Sequence, residues 1–237
     1  MRSRIPFAAA AALCLFALAC QKQVQRTAID PARLKMFAPL PEVMPSSGNP
    51  ITEEKVTLGR MLYYETRLSR GHNLSCNSCH LLDKYGVDNE ATSEGHKGQR
   101  GDRNSPSAYN AAGHIVQFWD GRAKTVEEQA KGPVLNPVEM AAPNEQYVLA
   151  VLNSIPEYVE AFKKAFPEDK KPVTYENMAR AIGAFERKLV TPARWDKFLQ
   201  GDQAALTEQE KAGFNKFVEA GCHTCHMGPY VGGMMIQ

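Results

Sequence analysis

The sequence lacks the features that mark several common classes of protein. It contains no long run of basic residues, and its formal net charge at pH 7 is only +2. Nucleic-acid-binding chains usually carry a basic patch or stripe, so binding of nucleic acid is not expected. The sequence also lacks any sustained alternation of apolar and polar residues, which is the pattern of a half-buried strand. We therefore expect an all-α fold.

The cysteines do not form a set that could build a disulfide framework. Of the six cysteines, Cys14 and Cys20 lie within the first twenty residues. The other four belong to two copies of one motif, at residues 76–80 and 222–226. The chemistry of the chain is therefore expected at these two motifs.

Each copy reads Cys-x-x-Cys-His, which is the attachment signature of a c-type haem. Side chains three and four residues apart share one face of a helical turn. Cys76 and Cys79 can therefore form thioethers with the two vinyl groups of a haem, while His80 binds the iron as proximal ligand. The same spacing predicts a second haem at Cys222, Cys225 and His226.

Two other uses of a Cys-x-x-Cys pair are weighed against haem. A zinc ribbon places its second pair about 15–20 residues away, whereas these motifs lie more than a hundred residues apart and each carries a histidine. A thioredoxin-like redox site needs a βαβ context, which the sequence does not show. Haem attachment is the interpretation that fits both motifs.

The first residues resemble an export signal. Arg2 and Arg4 precede a short apolar run over residues 5–19, with charge only at its front. This pattern is typical of a signal peptide rather than a membrane span. We expect residues 1–20 to be the signal peptide and the protein to lie in the periplasm, where haem c is attached in bacteria. Alternatively, Cys20 is the acylated cysteine of a lipoprotein anchored to the membrane.

An internal repeat predicts two haem domains. After a proline-rich linker over residues 21–50, the octet at 58–65 resembles the octet at 212–219. Each octet is predicted to lie in a helix that leads into a haem motif. We therefore expect two cytochrome c-like domains, one over residues 51–190 and one that begins within residues 191–237.

The second domain is expected to be incomplete. The chain ends at Gln237, eleven residues after His226, whereas a cytochrome c module needs more helix to cover the other haem face. Met227 lies too close to His226 to reach the far side of the iron. Met234 and Met235 are weak candidates because their tether is short. The distal ligand of the second haem is therefore not identified.

Capping signals and apolar spacing predict the main helices. They are expected from Thr52, from Thr125 to a stop at Gly132-Pro133, over 144–166, over 175–190, and from Thr207. Thr125 with Glu128, and Thr207 with Glu210, are predicted to form capping boxes. The first of them has apolar positions at Val56, Leu58, Met61 and Leu62. The stripe of Tyr175, Met178, Ile182, Phe185 and Leu189 is expected in the core.

A long polar loop over residues 83–106 contains four glycines and His96. Loops of this length inside a compact domain are uncommon and usually carry function. The residues alone leave four candidates for the distal ligand of the first haem, which are His72, His96, His114 and His223. His223 lies inside a haem motif and His72 lies just before one.

Taken together, these residues resemble the bacterial dihaem cytochrome c peroxidases, from about Leu40 to Gln237. The resemblance rests on both haem motifs and on stretches at residues 95–98, 104–106, 117–122, 128–133 and 137–140. It implies that the first haem is the low-potential peroxidatic centre. It also implies that the second is a high-potential centre with His and Met ligands, where electrons enter.

The resemblance further implies roles for single residues. His96 matches the detachable distal histidine of the first haem. Glu139 matches the acid–base residue of the distal pocket, and Gln129 matches the residue that positions peroxide. Trp119 matches the tryptophan between the haems, and Asn104 matches a ligand of a calcium site between the domains.

The implied activity is reduction of hydrogen peroxide to water, with electrons from a small periplasmic cytochrome c or cupredoxin. The implied cofactors are two covalently bound haem c groups and calcium, and the family suggests a homodimer. Two alternatives stay open. One is a dihaem electron carrier without peroxidase activity, and the other is the related dihaem enzyme that oxidises a partner protein to form a quinone cofactor.

Overall fold

The computed structural model describes residues 26–232. Over this range the chain forms nine α-helices and five short 3₁₀-helices. The only β-type pairings within residues 26–232 are two isolated bridges, Glu94 with Arg100 and Gln117 with Ala123. The predicted all-α fold is confirmed. The predicted signal peptide and Met234 and Met235 lie outside the described residues.

We number the α-helices in chain order. They are α1 (Pro31–Leu34), α2 (Glu53–Tyr63), α3 (Cys76–Cys79), α4 (Val126–Leu135), α5 (Glu145–Asn153), α6 (Pro156–Ala165), α7 (Tyr175–Glu186), α8 (Arg194–Leu199) and α9 (Glu208–Glu219). The 3₁₀-helices span Thr66–Leu68, Leu82–Lys84, His96–Gly98, Ala111–Gly113 and Cys222–Thr224.

Helix α7 lies at the centre of the main core, where α2 and α4 both pack against it and α6 packs against α2. The predicted apolar stripe of α7 is buried, including Leu189 just beyond the helix end. An apolar stripe that faces the core is what stabilises a helix in a globular protein. Met61 of α2, by contrast, is partly exposed.

The crossing of α2 and α7 depends on Gly59. A Cβ atom at this position would lie 1.9 Å from the carbonyl oxygen of Ala181 and 2.9 Å from Cβ of Phe185. The two backbones are therefore close enough that only glycine fits between them. This contact fixes the C-terminal end of α2, which carries Tyr63 towards the first haem motif.

Five helices begin with a side chain that accepts a hydrogen bond from the N–H group three residues on. These residues are Thr52, Thr125, Asn144, Thr174 and Thr207. The predicted reciprocal capping box of Thr207 and Glu210 is confirmed. At Thr125 only one half forms, because Glu128 accepts from the N–H of Lys124 instead.

Three predicted helix ends are wrong. Helix α4 continues to Leu135 with Pro133 inside it, because a proline near the last turn removes only one hydrogen bond. The single helix predicted over 144–166 is two helices, since Pro156 occupies the first position of α6 and starts a new helix. Helix α7 ends at Glu186 rather than at residue 190.

The proline-rich segment lies along the helical body. The N–H of Met44 donates to the carbonyl of Arg187 at 2.9 Å, and the N–H of Gly228 donates to the carbonyl of Met36 at 2.8 Å. The segment therefore contacts both the residue that follows α7 and the loop after the second haem motif. The boundaries of the two haem domains stay a prediction.

Candidate active site

The first haem motif forms a single helical turn. The N–H of Ser75 donates to Oγ of Ser78 at 3.0 Å, which closes the start of α3. The N–H of His80 donates to the carbonyl of Cys76 at 3.0 Å. Cys76 and Cys79 are free thiols and are partly buried. The local fold therefore presents two thiols and an imidazole from one turn, which is the donor set that a covalently attached haem requires.

The surroundings of the two thiols favour uncharged sulfur. Burial raises the pKa of Cys76 to about 12, with a further contribution from the charge of Glu186. Burial also raises the pKa of Cys79. Metal-binding cysteines must be deprotonated, so this environment suits a thioether better than a thiolate ligand.

The imidazole of His80 is oriented by the polar loop. Its Nδ1 lies 2.9 Å from the carbonyl oxygen of Pro106, so Nδ1–H donates and Nε2 is left to bind iron. Burial lowers the pKa of His80, which keeps the ring neutral, as a metal ligand must be. A backbone carbonyl on the second ring nitrogen is a common support for a ligating histidine.

The backbone of the first motif is held from two sides. The hydroxyl of Tyr63 at the end of α2 donates to the carbonyl of His80 at 2.8 Å, and Oγ of Ser105 donates to the carbonyl of Cys79 at 3.0 Å. Tyr63 occupies the same place in the internal repeat as Phe217, whose ring centroid lies 6.3 Å from that of His226. The repeat therefore places an aromatic ring near each proximal histidine.

The second haem motif orients the imidazole of His226 in the same way as the first motif orients that of His80. The N–H of His226 donates to the carbonyl of Cys222 at 3.0 Å, and Nδ1 of His226 lies 3.0 Å from the carbonyl oxygen of Val231. Cys222 and Cys225 are exposed free thiols. The two motifs thus share one donor set, and in both a backbone carbonyl leaves Nε2 available.

The segment around His96 is bonded to the segment that carries Glu139. The N–H of His96 lies 3.1 Å from the carbonyl of Val138 and 2.8 Å from that of Glu139. A Cβ atom at Gly95 would lie 1.9 Å from the Val138 oxygen. Gly95 therefore permits a close approach that another residue would prevent.

His96 lines a cavity of about 490 Å³. The other lining residues are Arg70, Lys97 and Gln99, together with apolar residues between 135 and 143. Gly71 lies beside the ring, since a Cβ atom there would be 3.8 Å from Nδ1 of His96. The predicted role of His96 as a distal ligand stays a prediction.

The carboxyl group of Glu139 is partly buried. Burial raises its pKa, against opposing effects of the Arg122 charge and of a hydrogen bond from Asn136. Nδ2 of Asn136 donates to its Oε1 at 3.0 Å. After burial, the charge of Glu139 is among the causes that raise the pKa of Cys76 and of Cys79. The structure thus joins the backbone of Glu139 to that of His96, and the charge of Glu139 disfavours ionisation of both thiols of the first haem motif.

Gln129 lies on α4 and is partly buried. Its N–H donates to the carbonyl of Thr125 at 3.0 Å as part of the first helical turn. Its side chain makes no hydrogen bond to any residue in the range 26–232. Its role in positioning peroxide stays a prediction.

Trp119 and Asn104 meet at the surface. Nε1 of Trp119 donates to the carbonyl of Asn104 at 2.8 Å, while 48% of the tryptophan is exposed. Nδ2 of Asn104 donates to the carbonyl of Glu90 at 2.7 Å. The two residues that the resemblance places between the domains are therefore neighbours, but their roles stay predictions.

The other histidines have distinct surroundings. Nε2 of His72 lies 2.6 Å from the hydroxyl of Tyr147. The ring of His114 packs edge-on against that of Tyr230 at 5.8 Å between centroids. Nδ1 of His223 is buried without a partner among the described residues.

Two features are absent from residues 26–232, a metal-binding cluster and a membrane-spanning helix. No cluster of three or more histidine, cysteine or acidic side chains in residues 26–232 is arranged to hold a metal ion. Within the same range no helix has the length and apolar character needed to cross a membrane.

Sequence reasoning missed three residues that shape the first motif, which are Tyr63, Pro106 and Glu186. Tyr63 could have been found from the internal repeat, because it aligns with Phe217 before a haem motif. Pro106 belongs to a stretch that carries the resemblance, but a role for its carbonyl oxygen leaves no trace in the sequence. Glu186 follows the apolar stripe of α7 and looks like an ordinary helix end.

Comparison with known proteins covers most of the chain. The sequence model of the family described as "Di-haem cytochrome c peroxidase" matches residues 53–204, more than half of the chain. The "Cytochrome c551 peroxidase" of Pseudomonas aeruginosa is 49% identical over 211 residues, which are 88% of this chain and 61% of the relative. The "Cytochrome c551 peroxidase" of Nitrosomonas europaea is 47% identical over 189 residues, 79% of this chain and 56% of the relative.

A solved structure has the same fold. A MauG-like protein associated with microbial copper homeostasis has a TM-score of 0.71 and 35% sequence identity, covering 79% of this chain and 55% of its own. The chain therefore spans little more than half of the length of these proteins.

Proposed function

Because the chain belongs to the family of di-haem cytochrome c peroxidases, we propose that it reduces hydrogen peroxide to water at a first haem, with electrons that enter at a second. Each peroxide takes up two electrons and two protons and gives two water molecules. When bound, the haems supply the redox chemistry. The residues that would hold them are Cys76, Cys79 and His80 for the first and Cys222, Cys225 and His226 for the second.

The observation that carries this proposal is the link between His96 and Glu139. The N–H of His96 donates to the Glu139 carbonyl at 2.8 Å, so the backbone of a histidine in the glycine-rich loop is held next to that of a partly buried glutamate. The Glu139 charge is among the causes that raise the pKa of both thiols of the first motif. A histidine, a carboxyl group and a haem attachment site thus come together in one region.

Glu139 would move the proton of the substrate. Burial raises its pKa above the ordinary value for a glutamate, which brings it towards the working pH, where a general acid–base group is most effective. The hydrogen bond from Asn136 holds one carboxyl oxygen in place. Glu139 would accept the proton from one peroxide oxygen and deliver it to the departing oxygen.

His96 would be the detachable ligand on the distal side of the first haem. Lys97 next to it has a positive φ of 57°, and Gly98, one residue further, a positive φ of 74°. Glycines lower the cost of changing φ and ψ, so this turn is suited to moving. Release of the histidine would admit peroxide, and Gln129 would then orient it by hydrogen bonding.

Trp119 and Asn104 would join the two haem domains. Their hydrogen bond suits a role at a common interface, with Trp119 between the haems and Asn104 at a calcium site. The Asn104 amide nitrogen is bound to Glu90, which leaves its amide oxygen as the atom that would bind calcium.

The chain would work in the periplasm after export. Its electron donor would be a small cytochrome c or a cupredoxin. Cys20 would be the site of a lipid anchor if the export signal is that of a lipoprotein, and the family suggests a homodimer.

The matched pair Glu139→Gln and Glu128→Gln tests the proposal. Glu128 is exposed on α4, so its variant is the control. Full-length protein with both haems attached is mixed with reduced cytochrome c and hydrogen peroxide. We expect Glu139→Gln to keep both haems and to lose roughly 10²–10⁴-fold in turnover. Unchanged turnover in Glu139→Gln would exclude it as the acid–base group.

The same assay separates the alternatives. A dihaem electron carrier would oxidise no donor in response to peroxide, even as wild type. The likeness to a MauG-like structure favours as second candidate an enzyme that oxidises a partner protein, and the named peroxidases are more similar to this chain in sequence. Peroxide-dependent oxidation of a protein without turnover of a small donor would favour that candidate.

A further inference from the structure

Glu186, the last residue of α7, is a partly buried acid that the proposed reaction does not use. Its Oε2 is shielded from solvent and has no hydrogen-bond partner among the described residues. An unpaired carboxylate in such a place is costly, and such groups usually hold a proton or serve a function. The neighbouring acid and base, Glu127 and Arg187, are already paired with each other at 2.8 Å.

Glu186 lies close to the first haem motif. Phe185, the residue before it, packs edge-on against Tyr63 at 5.3 Å between ring centroids, and Cys76 packs against the same cluster. After burial, the charge of Glu186 is the next cause that raises the pKa of Cys76 and is among those that raise the pKa of Tyr63. The carboxyl group therefore lies near the point where the first haem would be attached.

The charged and titratable groups around Glu186 come from four elements. Tyr63 lies on α2, Cys76 on α3, Glu127 on α4, and Arg187 directly follows α7. Burial and, to a lesser extent, the Glu127 charge raise the pKa of Glu186 to about 8, against the opposing charge of Arg187. No group among these offers Glu186 a hydrogen bond, so its charge responds freely to a change of charge nearby.

We propose that Glu186 takes up one proton when the first haem is reduced. The electron comes from the small electron carrier and the proton from solvent. The carboxylate becomes a carboxylic acid, and it forms no bond to the haem. The uptake follows from electrostatics. A ferric haem carries one more positive charge than a ferrous haem and so favours the ionised form of the nearby carboxyl group, and reduction removes that effect. This inference rests on haem attachment in the proposed function, not on peroxide turnover.

The test is the midpoint potential of the first haem against pH in full-length haem-loaded protein, between about pH 6 and about pH 10. In the wild type the midpoint potential should fall by about 59 mV per pH unit over part of this range. For one electron this is a tenfold fall in the equilibrium constant of reduction per pH unit. Glu186→Gln should abolish this slope. The control Glu176→Gln, exposed on the same helix, should keep it. A slope that persists unchanged in Glu186→Gln would overturn the inference.

A second readout does not depend on that variant. The infrared difference spectrum of wild-type protein on reduction should show a new C=O band of a protonated carboxyl group. Glu186→Asp, which keeps an acid, should retain both band and slope. If Glu186→Gln does not fold, a wild-type spectrum without the band and a flat potential would still overturn the inference.

The two proposals can fail separately. Wild-type protein with both haems and no peroxide turnover, but with a pH-dependent potential lost in Glu186→Gln, would remove the peroxidase function alone. Full turnover with no pH dependence would remove the role of Glu186 alone.

Discussion

Nδ1 of His80 lies 2.9 Å from the carbonyl oxygen of Pro106. Pro106 stands at the end of the polar loop that also carries His96. The same loop therefore supports the proximal side of the first haem at one end and holds the candidate distal histidine further back. Because the loop is bonded to the segment of Glu139 as well, a shift of any one of these groups is expected to affect the others.

Gly95→Ala should displace His96. A Cβ atom at this position would lie 1.9 Å from the carbonyl oxygen of Val138, which cannot move easily because it is backbone. We expect the first haem to be attached but to lose the low-spin spectrum of two histidine ligands in the oxidised state. Optical and electron paramagnetic resonance spectra of the oxidised protein measure this.

The control for this change is Gly101→Ala in the same loop, where an added Cβ atom meets nothing within 4 Å. Its spectrum should match that of the wild type. Identical low-spin spectra for both variants would mean that the close approach at Gly95 does not position the ligand.

Tyr63→Phe should destabilise the first motif. The variant leaves the His80 carbonyl without the hydrogen bond of 2.8 Å that it accepts from Tyr63, and a buried acceptor without a partner costs about 1–3 kcal/mol. The free energy of unfolding in urea measures the loss. The adjacent Tyr64 is exposed, so Tyr64→Phe should change it by less than about 0.5 kcal/mol. Equal stability of the two variants would argue against the bond.

Glu127→Gln should cost more than a comparable surface change. Arg187 and Glu127 are both nearly buried and pair at 2.8 Å, so removing the acid leaves an unpaired buried charge, at about 3–5 kcal/mol. Glu160 pairs with Lys163 at the surface, and Glu160→Gln should cost far less, because an exposed ion pair adds little stability. Urea unfolding of both variants tests the difference, and similar losses would contradict it.

The same ion pair predicts an acid-sensitive stability. Burial raises the pKa of Glu127, but hydrogen bonds from Arg187 and Asn49 outweigh this and lower it to about 2. A lowered pKa stabilises the fold above the ordinary value of 4.5, and that stability is lost as the pH falls to about 2. As the pH falls from 4.5 to about 2, the free energy of unfolding should therefore decrease more in the wild type than in Glu127→Gln. Parallel pH profiles of the two proteins would contradict this assignment.

Gly59→Ala should weaken the contact of α2 with α7. The added Cβ atom would lie 1.9 Å from the Ala181 carbonyl oxygen, and overpacking of this kind costs about 1–3 kcal/mol or more. Gly48→Ala is the control, since a Cβ atom there meets nothing within 4 Å. Thermal unfolding monitored by circular dichroism compares them. A melting temperature unchanged by Gly59→Ala would show that the helices can separate without loss.

The sequence predicted those elements whose signals are local. Thr207 and Glu210 form a capping box from four consecutive residues, and the stripe of α7 follows from helical spacing alone. The stop predicted at Pro133 was wrong, because a proline so near the end of a helix removes one bond without ending it. Pro156 started a helix that the sequence analysis had joined to its neighbour.

The parts of the site that depend on distant contacts could not be predicted. The Cys-x-x-Cys-His spacing locates the thiols and the proximal imidazole, since these lie on one turn. The bond from His80 to Pro106 joins residues 26 apart, and the contact of His96 with Glu139 depends on how the loop folds back. Such contacts come from packing, for which a single sequence carries no periodic signal.

The central claim is that both motifs carry a covalently attached haem. Mass spectrometry of peptides from the full-length protein, produced in a host that attaches haem c, tests it most directly. We expect the peptides containing Cys76–His80 and Cys222–His226 each to carry one porphyrin. Unmodified thiols in both peptides would contradict the account.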